Sequence, residues 1–425
     1  MFWLFYLQIM EHGYFELEPY TLLLLIGGLV AMLAAIVPTL LRKKYVSAPI
    51  IYLLIGAAGF FICQECHVDP MEHLKEIQHI TEFVVIIALV NTGLRIKEPF
   101  KWNTWKNAVR LLAIAMPLTI VAATFLGWWI LGFAPATAML FGALISPTDP
   151  VLASELQTSE PGEEDTSKTK LGLTAEAGIN DGLAFPFTYF AIYAAMQGLD
   201  YRDWVGEWFL HEFVIKIAVG VIVGLLIGWV LYKIVFSLSE KDDTLSRISR
   251  GILSLALIAL PYTITEFFGG YGFIAAFFAA CMFSNYEKHL HHMIDLHDFN
   301  EELESFAVAV IFITIGFFIG LHYQILFDGK ILMVALLMVL VVRPLAGYIS
   351  LVKSGLNPFQ KFVLSFYGMR GIGSLYYLAY ALTAATFIDA EKLVAITTAT
   401  IFFSVLIHGV TARSVQKRIK KYDSN

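Results

Sequence analysis

Thirteen long apolar stretches constrain the fold of this chain more than any other feature of its sequence. A helix needs about 20 apolar residues to cross the hydrocarbon core of a bilayer. Few of the stretches alternate polar and apolar residues, as the strands of a β-barrel do. The sequence therefore predicts an all-α, polytopic membrane protein with 13 transmembrane helices. The stretches cover residues 20–41, 46–63, 80–96, 108–131, 133–154, 171–196, 209–236, 251–268, 271–285, 303–321, 331–352, 362–387 and 393–412.

The composition of the 425-residue chain argues against the common soluble classes. Charged residues make up 15% and hydrophobic residues 58%, whereas a soluble domain carries roughly 25% charged residues. The net charge is −6, and a basic tract occurs only in the last residues, so nucleic acid is not an expected partner. The three cysteines are too few for a disulfide framework. We expect neither an enzyme nor a bound cofactor.

Lysine and arginine are distributed unevenly between alternate loops. With the N-terminus placed outside, most of the 29 lysines and arginines fall in inside loops or in a short basic tail, residues 413–425. Cytoplasmic loops of membrane proteins carry this positive excess. The pattern predicts an integral protein of the bacterial inner membrane with a cytoplasmic C-terminus. The basic tail is suited to contact anionic lipid.

Thirteen helices divide into six, one and six, within a single transmembrane domain covering residues 1–425. The first half covers approximately residues 20–196, a linking helix covers 209–236, and the second half covers 251–412. An odd linking helix places the two halves in opposite orientations, and inverted repeats of this kind are a transporter architecture. The same architecture predicts a pair of interrupted helices at matching positions, which here are helices five and twelve.

Both predicted interruptions have a sequence signature. The fifth stretch contains Ser146-Pro147-Thr148-Asp149-Pro150, and its two prolines remove backbone donors in the middle of the membrane. The twelfth stretch contains Gly368-Met369-Arg370-Gly371-Ile372-Gly373, whose glycines permit a non-helical backbone. The alternative is a pair of harmless kinks, which does not account for a charged residue inside each one.

Charged residues inside a membrane are costly, at roughly 2.5–3.5 kcal/mol each on insertion scales, so they pair or they function. Glu176 and Asn180 are four residues apart and share a helix face, and Asp181 follows directly. Three acids against two arginines leave one negative charge, which attracts one monovalent cation or one proton. The alternative is that all five charges form structural ion pairs. The five are Asp149, Glu176, Asp181, Arg343 and Arg370.

These residues resemble, in order and spacing, the motifs of the NhaP/NHE-type monovalent cation:proton antiporters of the CPA superfamily. The resemblance extends over essentially the whole chain. It implies a secondary active transporter that works by alternating access, as a homodimer with a mobile core domain and a fixed dimerisation domain. The matching segments are Pro147-Thr148-Asp149-Pro150, Glu176-Ala177-Gly178-Ile179-Asn180-Asp181-Gly182, Arg343-Pro344 and Gly368-Met369-Arg370-Gly371.

The resemblance also implies roles for individual residues. Asp181 is the carboxylate that binds the cation and the proton by turns, and Asn180 beside it helps to hold it. Thr148 and its carbonyl act with Asp181 as ligands of the monovalent cation. We group Asp149, from its depth in the membrane, with these ion-binding and proton-binding residues. Glu176 is the partner of Arg343, and Arg370 offsets the converging helix ends.

Two positions bear on the transported ion. Where the family often has a serine that contributes oxygen, this chain has Ala177, which leaves the choice between Na+, K+ and Li+ open. Asn180 occupies the place where electrogenic relatives carry a second aspartate. With Asp181 as the one titrating carboxylate, we expect electroneutral exchange of one cation for one proton.

Two other functions are weighed against antiport. A cation channel or uniporter of similar architecture would conduct without a counter-ion. A membrane redox protein would use Cys63, Cys66 and His67, which match the C-x-x-C-H haem attachment pattern. A histidine cluster after the ninth stretch is either part of a solvated loop or a pH sensor; its members are His289, His291, His292 and His297.

Overall fold

The computed structural model describes residues 19–42, 44–62, 70–159, 167–239, 247–286, 290–326 and 328–423. Within these ranges the regular structure is helical, and no β-strand occurs. In chain order the helices are α1 (Pro19–Leu41), α2 (Ala48–Ile62), α3 (Leu74–Leu94), α4 (Trp102–Trp129), α5 (Pro135–Ile145), α6 (Lys168–Gln197), α7 (205–239), α8 (Arg247–Phe267), α9 (Gly272–Tyr286), α10 (Leu290–Leu321), α11 (Gly329–Ser350), α12 (Pro358–Phe366), α13 (Ile372–Ala384) and α14 (Ala390–Asp423).

Every predicted apolar stretch overlaps one or two of these helices. In the described part of the chain, seven helices are long and apolar enough to cross a membrane by length and composition, and four shorter helices are also apolar. The 30-residue helix α6 is less apolar, because its central turns carry polar and charged residues. The seven are Tyr20–Leu41, Met71–Leu94, Trp102–Trp129, Val205–Val235, Leu296–Leu321, Gly329–Ser350 and Ala390–Ile419.

Both predicted interruptions are present in the structure. Helix α5 ends at Ile145, and the chain continues without α-helical structure to a single 3₁₀ turn at Ser154–Leu156. Helix α12 ends at Phe366, and α13 begins at Ile372. The two interruptions contact each other, because the backbone N–H of Asp149 donates a 2.8 Å hydrogen bond to the carbonyl of Met369. We call residues 146–153 the first break and residues 367–371 the second break.

Helices α4 and α11 share an irregularity that precedes each break. A π-helical segment occupies Leu111–Ala115 in α4 and Met338–Val342 in α11. In both helices a proline follows two residues after the segment, Pro117 in α4 and Pro344 in α11. Proline cannot donate the hydrogen bond that an α-helix requires, so the preceding turn widens. The same local chemistry therefore occurs in both halves of the chain.

The centre of the molecule is formed by helices α3, α5, α6, α9 and α13, which pack against one another. Small residues allow these helices to approach closely, as in other membrane helix pairs. A Cβ atom added to Gly93 of α3 would lie 2.7 Å from the Phe277 carbonyl of α9, too close for any side chain. Glu176 and Asp181, two of the buried charged residues, lie on α6 within this centre.

The prediction that His297 lies in a loop after the ninth stretch is wrong. Helix α10 begins at Leu290 rather than near residue 303, and His297 is buried within this helix. It is therefore not part of a solvated loop. Residues 63–69, which include Cys63, Cys66 and His67, lie outside the described residues, as do His289 and the side chains of His291 and His292.

Candidate functional site

Asp181 lies near the middle of α6 and is 1% exposed. Among the described residues, no group donates a hydrogen bond to either of its carboxylate oxygens. The first turn of α13 packs directly against it, since a Cβ atom added to Gly373 would lie 3.0 Å from Oδ1 of Asp181. The N-terminus of a helix carries a partial positive charge. The carboxylate is thus a buried acceptor that faces a positive helix end.

The main-chain carbonyl of Asp181, unlike its carboxylate, accepts a hydrogen bond from a side chain. The hydroxyl of Tyr377, one turn further along α13 than Gly373, donates a hydrogen bond to the carbonyl of Asp181. Tyr377 is completely buried. This contact holds α13 against α6 while leaving the carboxylate free.

Asn180 and Thr148 connect α6 to the first break. The Nδ2 group of Asn180 donates to Oγ1 of Thr148, and the Oδ1 atom of Asn180 has no partner among the described residues. Both side chains are buried. The structure thus brings Thr148 into contact with Asn180, the residue that precedes Asp181 in the chain. The amide oxygen of Asn180 is available to bind a ligand.

Asp149 differs from Asp181, because backbone groups occupy its carboxylate. Oδ1 accepts from the N–H groups of Val151 at 2.8 Å and Leu152 at 3.2 Å. Oδ2 accepts from the N–H of Ile372, the first residue of α13. Asp149 therefore connects the backbone of the first break to the first residue of α13. Its predicted role as an ion ligand remains a prediction, and in this structure its hydrogen bonds go to the main chain.

The predicted pair between α6 and α11 is formed. Nη2 of Arg343 lies 2.6 Å from Oε1 of Glu176, and both side chains are buried. The backbone at Gly368 lies against the Arg343 guanidinium, where only a glycine fits. A charge-assisted hydrogen bond of this length is strong. The pair therefore links α6, α11 and the second break.

Arg370 lies within the second break. Its backbone N–H donates to Oγ of Ser404 at 2.7 Å, and its Nη1 donates to the Gly368 carbonyl. Its Nη2 has no hydrogen-bond partner in the described part of the chain. The positive charge acts on both Glu176 and Asp181. Arg370 thus contributes charge to the site without forming a direct ion pair there.

A cavity of about 300 Å³ opens on the side of the molecule where α3 and α10 bring Arg95 and His297 together. Its lining includes Val151 and Leu152 of the first break and Met369 of the second. Nε of Arg95 contacts Nε2 of His297 at 3.0 Å. The charged side chains that line the cavity are Arg42, Arg95, Glu155, Glu301, Glu304 and Arg413.

Sequence reasoning missed two contributors on α14, Ser404 and His408. Both are buried, and both contact the second break or its edge. Their spacing of four residues places them on one face of an apolar helix. That spacing was the available signal, but polar pairs of this kind often serve only to connect helices.

The comparisons with known proteins agree on one family. The family described as "Sodium/hydrogen exchanger, transmembrane" matches residues 29–418. The Na(+)/H(+) antiporter NhaG of Bacillus atrophaeus is 25% identical over 409 residues, which cover 93% of this chain and 74% of the relative. A Na(+)/H(+) antiporter of Saccharomyces cerevisiae is 26% identical over 133 residues, 30% of this chain and 13% of that protein.

A solved structure has the same fold. The sodium proton antiporter MjNhaP1 from Methanocaldococcus jannaschii, at pH 8, superposes with a TM-score of 0.68 and 18% sequence identity. The superposition covers 93% of this chain and 97% of that one. The all-α arrangement described above is therefore a known architecture.

Proposed function

Because the chain belongs to the sodium/hydrogen exchanger family, we propose that it exchanges a monovalent cation for protons by alternating access, with both ligands competing for Asp181. The family is one of membrane transporters, and the protein is not an enzyme. Na+ is the first candidate ion, because the bacterial and yeast relatives are named as Na(+)/H(+) antiporters. K+ and Li+ remain to be compared with it.

The observation that carries the proposal is the unpartnered carboxylate of Asp181. A buried charge without a partner is costly, and Asp181 has no hydrogen-bond donor among the described residues. A cation or a proton removes that cost, but a protonated carboxylate binds a cation poorly. The two ligands therefore exclude each other at this position.

Obligatory exchange follows from the same cost. The empty, negatively charged site is expensive to move through a hydrophobic barrier, whereas the site loaded with either ligand is neutral at Asp181. The side chains suited to supply cation ligands are Asp181, Thr148 and Asn180, whose Oδ1 is without a partner in the described part of the chain. Hard cations prefer oxygen ligands of this kind. Asp149 joins them only if its backbone hydrogen bonds open.

The stoichiometry we propose is one cation for one proton. The neighbour of Asp181 in the sequence is the neutral Asn180. Glu176 is paired with Arg343 and Asp149 accepts backbone hydrogen bonds, so we take Asp181 as the one carboxylate of the site that exchanges its proton. No net charge then crosses the membrane. A membrane potential acts with about 2.3 kcal/mol per charge per 100 mV, and it would neither drive nor oppose such an exchange.

Reconstituted proteoliposomes test the function. We expect Na+, Li+ or K+ added outside to move protons in the opposite direction, in vesicles that contain the purified protein but not in protein-free vesicles. Cation uptake that continues without proton movement would identify a channel or uniporter instead. A reversal potential that depends on the imposed voltage would contradict electroneutrality and leave antiport intact.

The finer architecture is part of the proposal. The π-helical segments of α4 and α11, which are each followed by a proline and a break, support two inverted six-helix repeats joined by α7. We propose 13 membrane crossings with the N-terminus outside, the basic tail in the cytoplasm of a bacterium, and a homodimer in lipid. Single cysteines introduced near residue 415 and residue 200 should react with impermeant reagents from opposite sides.

A further inference from the structure

We propose that Ser404 and His408 are positioning residues of the proposed transport site, which connect the end of α12 to the backbone of Arg370 within the second break and thereby fix Arg370. This inference rests on the proposed function, since it concerns how the proposed site keeps its geometry. Both residues lie on α14, apart from α6, which carries Asp181 and Asn180, and from the first break, which carries Thr148. We call Ser404 and His408 together the brace.

The brace contacts the chain at the edge of the second break and within it. Oγ of Ser404 accepts the backbone N–H of Arg370 at 2.7 Å, and Nδ1 of His408 lies 3.1 Å from the same oxygen. Nε2 of His408 lies 3.1 Å from the carbonyl oxygen of Phe366, the last residue of α12. A continuous hydrogen-bonded path therefore runs from Phe366 through α14 to Arg370.

The chemistry of the groups assigns the hydrogens. A carbonyl oxygen only accepts, so Nε2 of His408 carries a hydrogen and donates it to Phe366. In the neutral ring Nδ1 is then an acceptor for the Ser404 hydroxyl, and the oxygen of Ser404 accepts from Arg370. A charged ring would add a third positive charge near Arg370 and Arg343, both of which oppose it electrostatically. The neutral form with the Nε2 hydrogen satisfies every contact.

The break itself creates the need for the brace. Where a helix stops inside a membrane, its last carbonyls and the next N–H groups lose their helical partners, and water is not available to replace them. Ser404 and His408 are 0% and 1% exposed. Asp149 satisfies the N–H of Ile372 from the other side of the break. Without the brace, the Arg370 N–H would be a buried donor that has lost its acceptor.

Fixing the backbone of Arg370 also limits where its charge lies. Its Nη1 donates to Gly368 within the same break, while its charge acts on Glu176 and Asp181. The break also brings Gly373 against the Asp181 carboxylate. A loosened break would therefore change both the charge and the shape of the proposed cation site, whereas a helix connection remote from the site would change neither.

The test uses the full-length protein in proteoliposomes and four variants of the brace. Ser404→Ala removes the acceptor for Arg370, and His408→Ala removes both contacts of the ring. His408→Asn keeps a group near the Nδ1 position, and His408→Gln keeps one near the Nε2 position. The matched control is Thr400→Val, one turn earlier on α14, whose buried hydroxyl donates to the Ile396 carbonyl of its own helix.

Two measurements are made on each variant. For Ser404→Ala and His408→Ala we expect the apparent KM for the cation to rise about tenfold, the effect of one lost buried hydrogen bond, with a smaller change in maximal rate. His408→Asn and His408→Gln should each recover part of the loss. Backbone hydrogen–deuterium exchange of peptides covering residues 366–373 should accelerate in the same variants and not in Thr400→Val.

The outcomes separate the two proposals. If the wild type exchanges cations for protons and both alanine variants keep its KM and its deuterium exchange, the brace is wrong and the antiporter function stands. If the wild type transports no protons, the function fails, and the deuterium exchange alone decides whether the brace holds the break. An equal loss in Thr400→Val would show general disruption of α14 and overturn the positioning role.

Discussion

Glu176 and Asp181 are two carboxylates five residues apart on the same helix, and the structure treats them in opposite ways. Both are buried, at 2% and 1% exposure. Glu176 has an arginine at 2.6 Å, whereas the carboxylate of Asp181 has no hydrogen-bond partner among the described residues. Burial therefore does not distinguish the paired acid from the acid that we propose binds the ion. The presence of a permanent partner does.

Whether each carboxylate has a partner depends on which groups the neighbouring helices place opposite it. Opposite Glu176, α11 supplies Arg343, and Gly368 leaves room for the guanidinium. Opposite Asp181, α13 supplies Gly373, which has no side chain. Breaking one buried ion pair by removing a partner costs about 3–5 kcal/mol, so Glu176 is suited to hold the fold. The Asp181 carboxylate has no such partner among the described residues, as the proposed ion site requires.

The substitution Asp181→Asn is expected to have the largest effect, which is on transport. The asparagine amide has nearly the same shape as the carboxyl group, but it carries no charge and releases no proton. We therefore expect cation-dependent proton movement to fall to the level of protein-free vesicles. The melting temperature should change little, because no hydrogen bond to the carboxylate is lost. Proton flux and thermal unfolding, measured on one preparation, check both statements. Retained exchange would move the ion site away from Asp181.

The second prediction concerns the stability of the Glu176 pair. Glu176→Gln and Arg343→Gln each leave one buried charge unpaired, and we expect each to lower the free energy of unfolding by about 3–5 kcal/mol. The double variant removes both charges and should recover much of the loss. Thermal unfolding in detergent measures this cycle. Additive losses in the double variant would mean that the pair does not couple α6 to α11.

The smallest effect is expected at Ala177, between the two carboxylates. Ala177 is 1% exposed, and Ala177→Ser adds one hydroxyl beside the site. A single added hydrogen bond contributes about 0.5–1.5 kcal/mol, so the apparent KM for Na+ should fall by roughly two- to tenfold relative to K+. Competition between Na+ and K+ in vesicles measures the ratio. An unchanged ratio would show that this hydroxyl does not reach the ion.

Local sequence chemistry was enough to predict the elements of the fold. Long apolar stretches predicted the helices, and Pro147, Pro150 and the glycines around Arg370 predicted the two breaks, because proline and glycine act on their own backbone. The same reasoning identified the charged residues, since a charge is costly in any apolar helix. It was wrong for His297, where polar residues within a long helix resembled a loop.

Only the tertiary structure decided which polar groups meet. The sequence grouped Asp149 with Asp181 as an ion-binding residue, but backbone N–H groups of the first break and of the start of α13 occupy Asp149, while the carboxylate of Asp181 has no partner within the described ranges. The role of His408 was equally hidden, because its partner Phe366 lies 42 residues away in the chain. The physical reason is that the cost of burying a polar group is a property of the residue, whereas its relief depends on neighbours supplied by other helices.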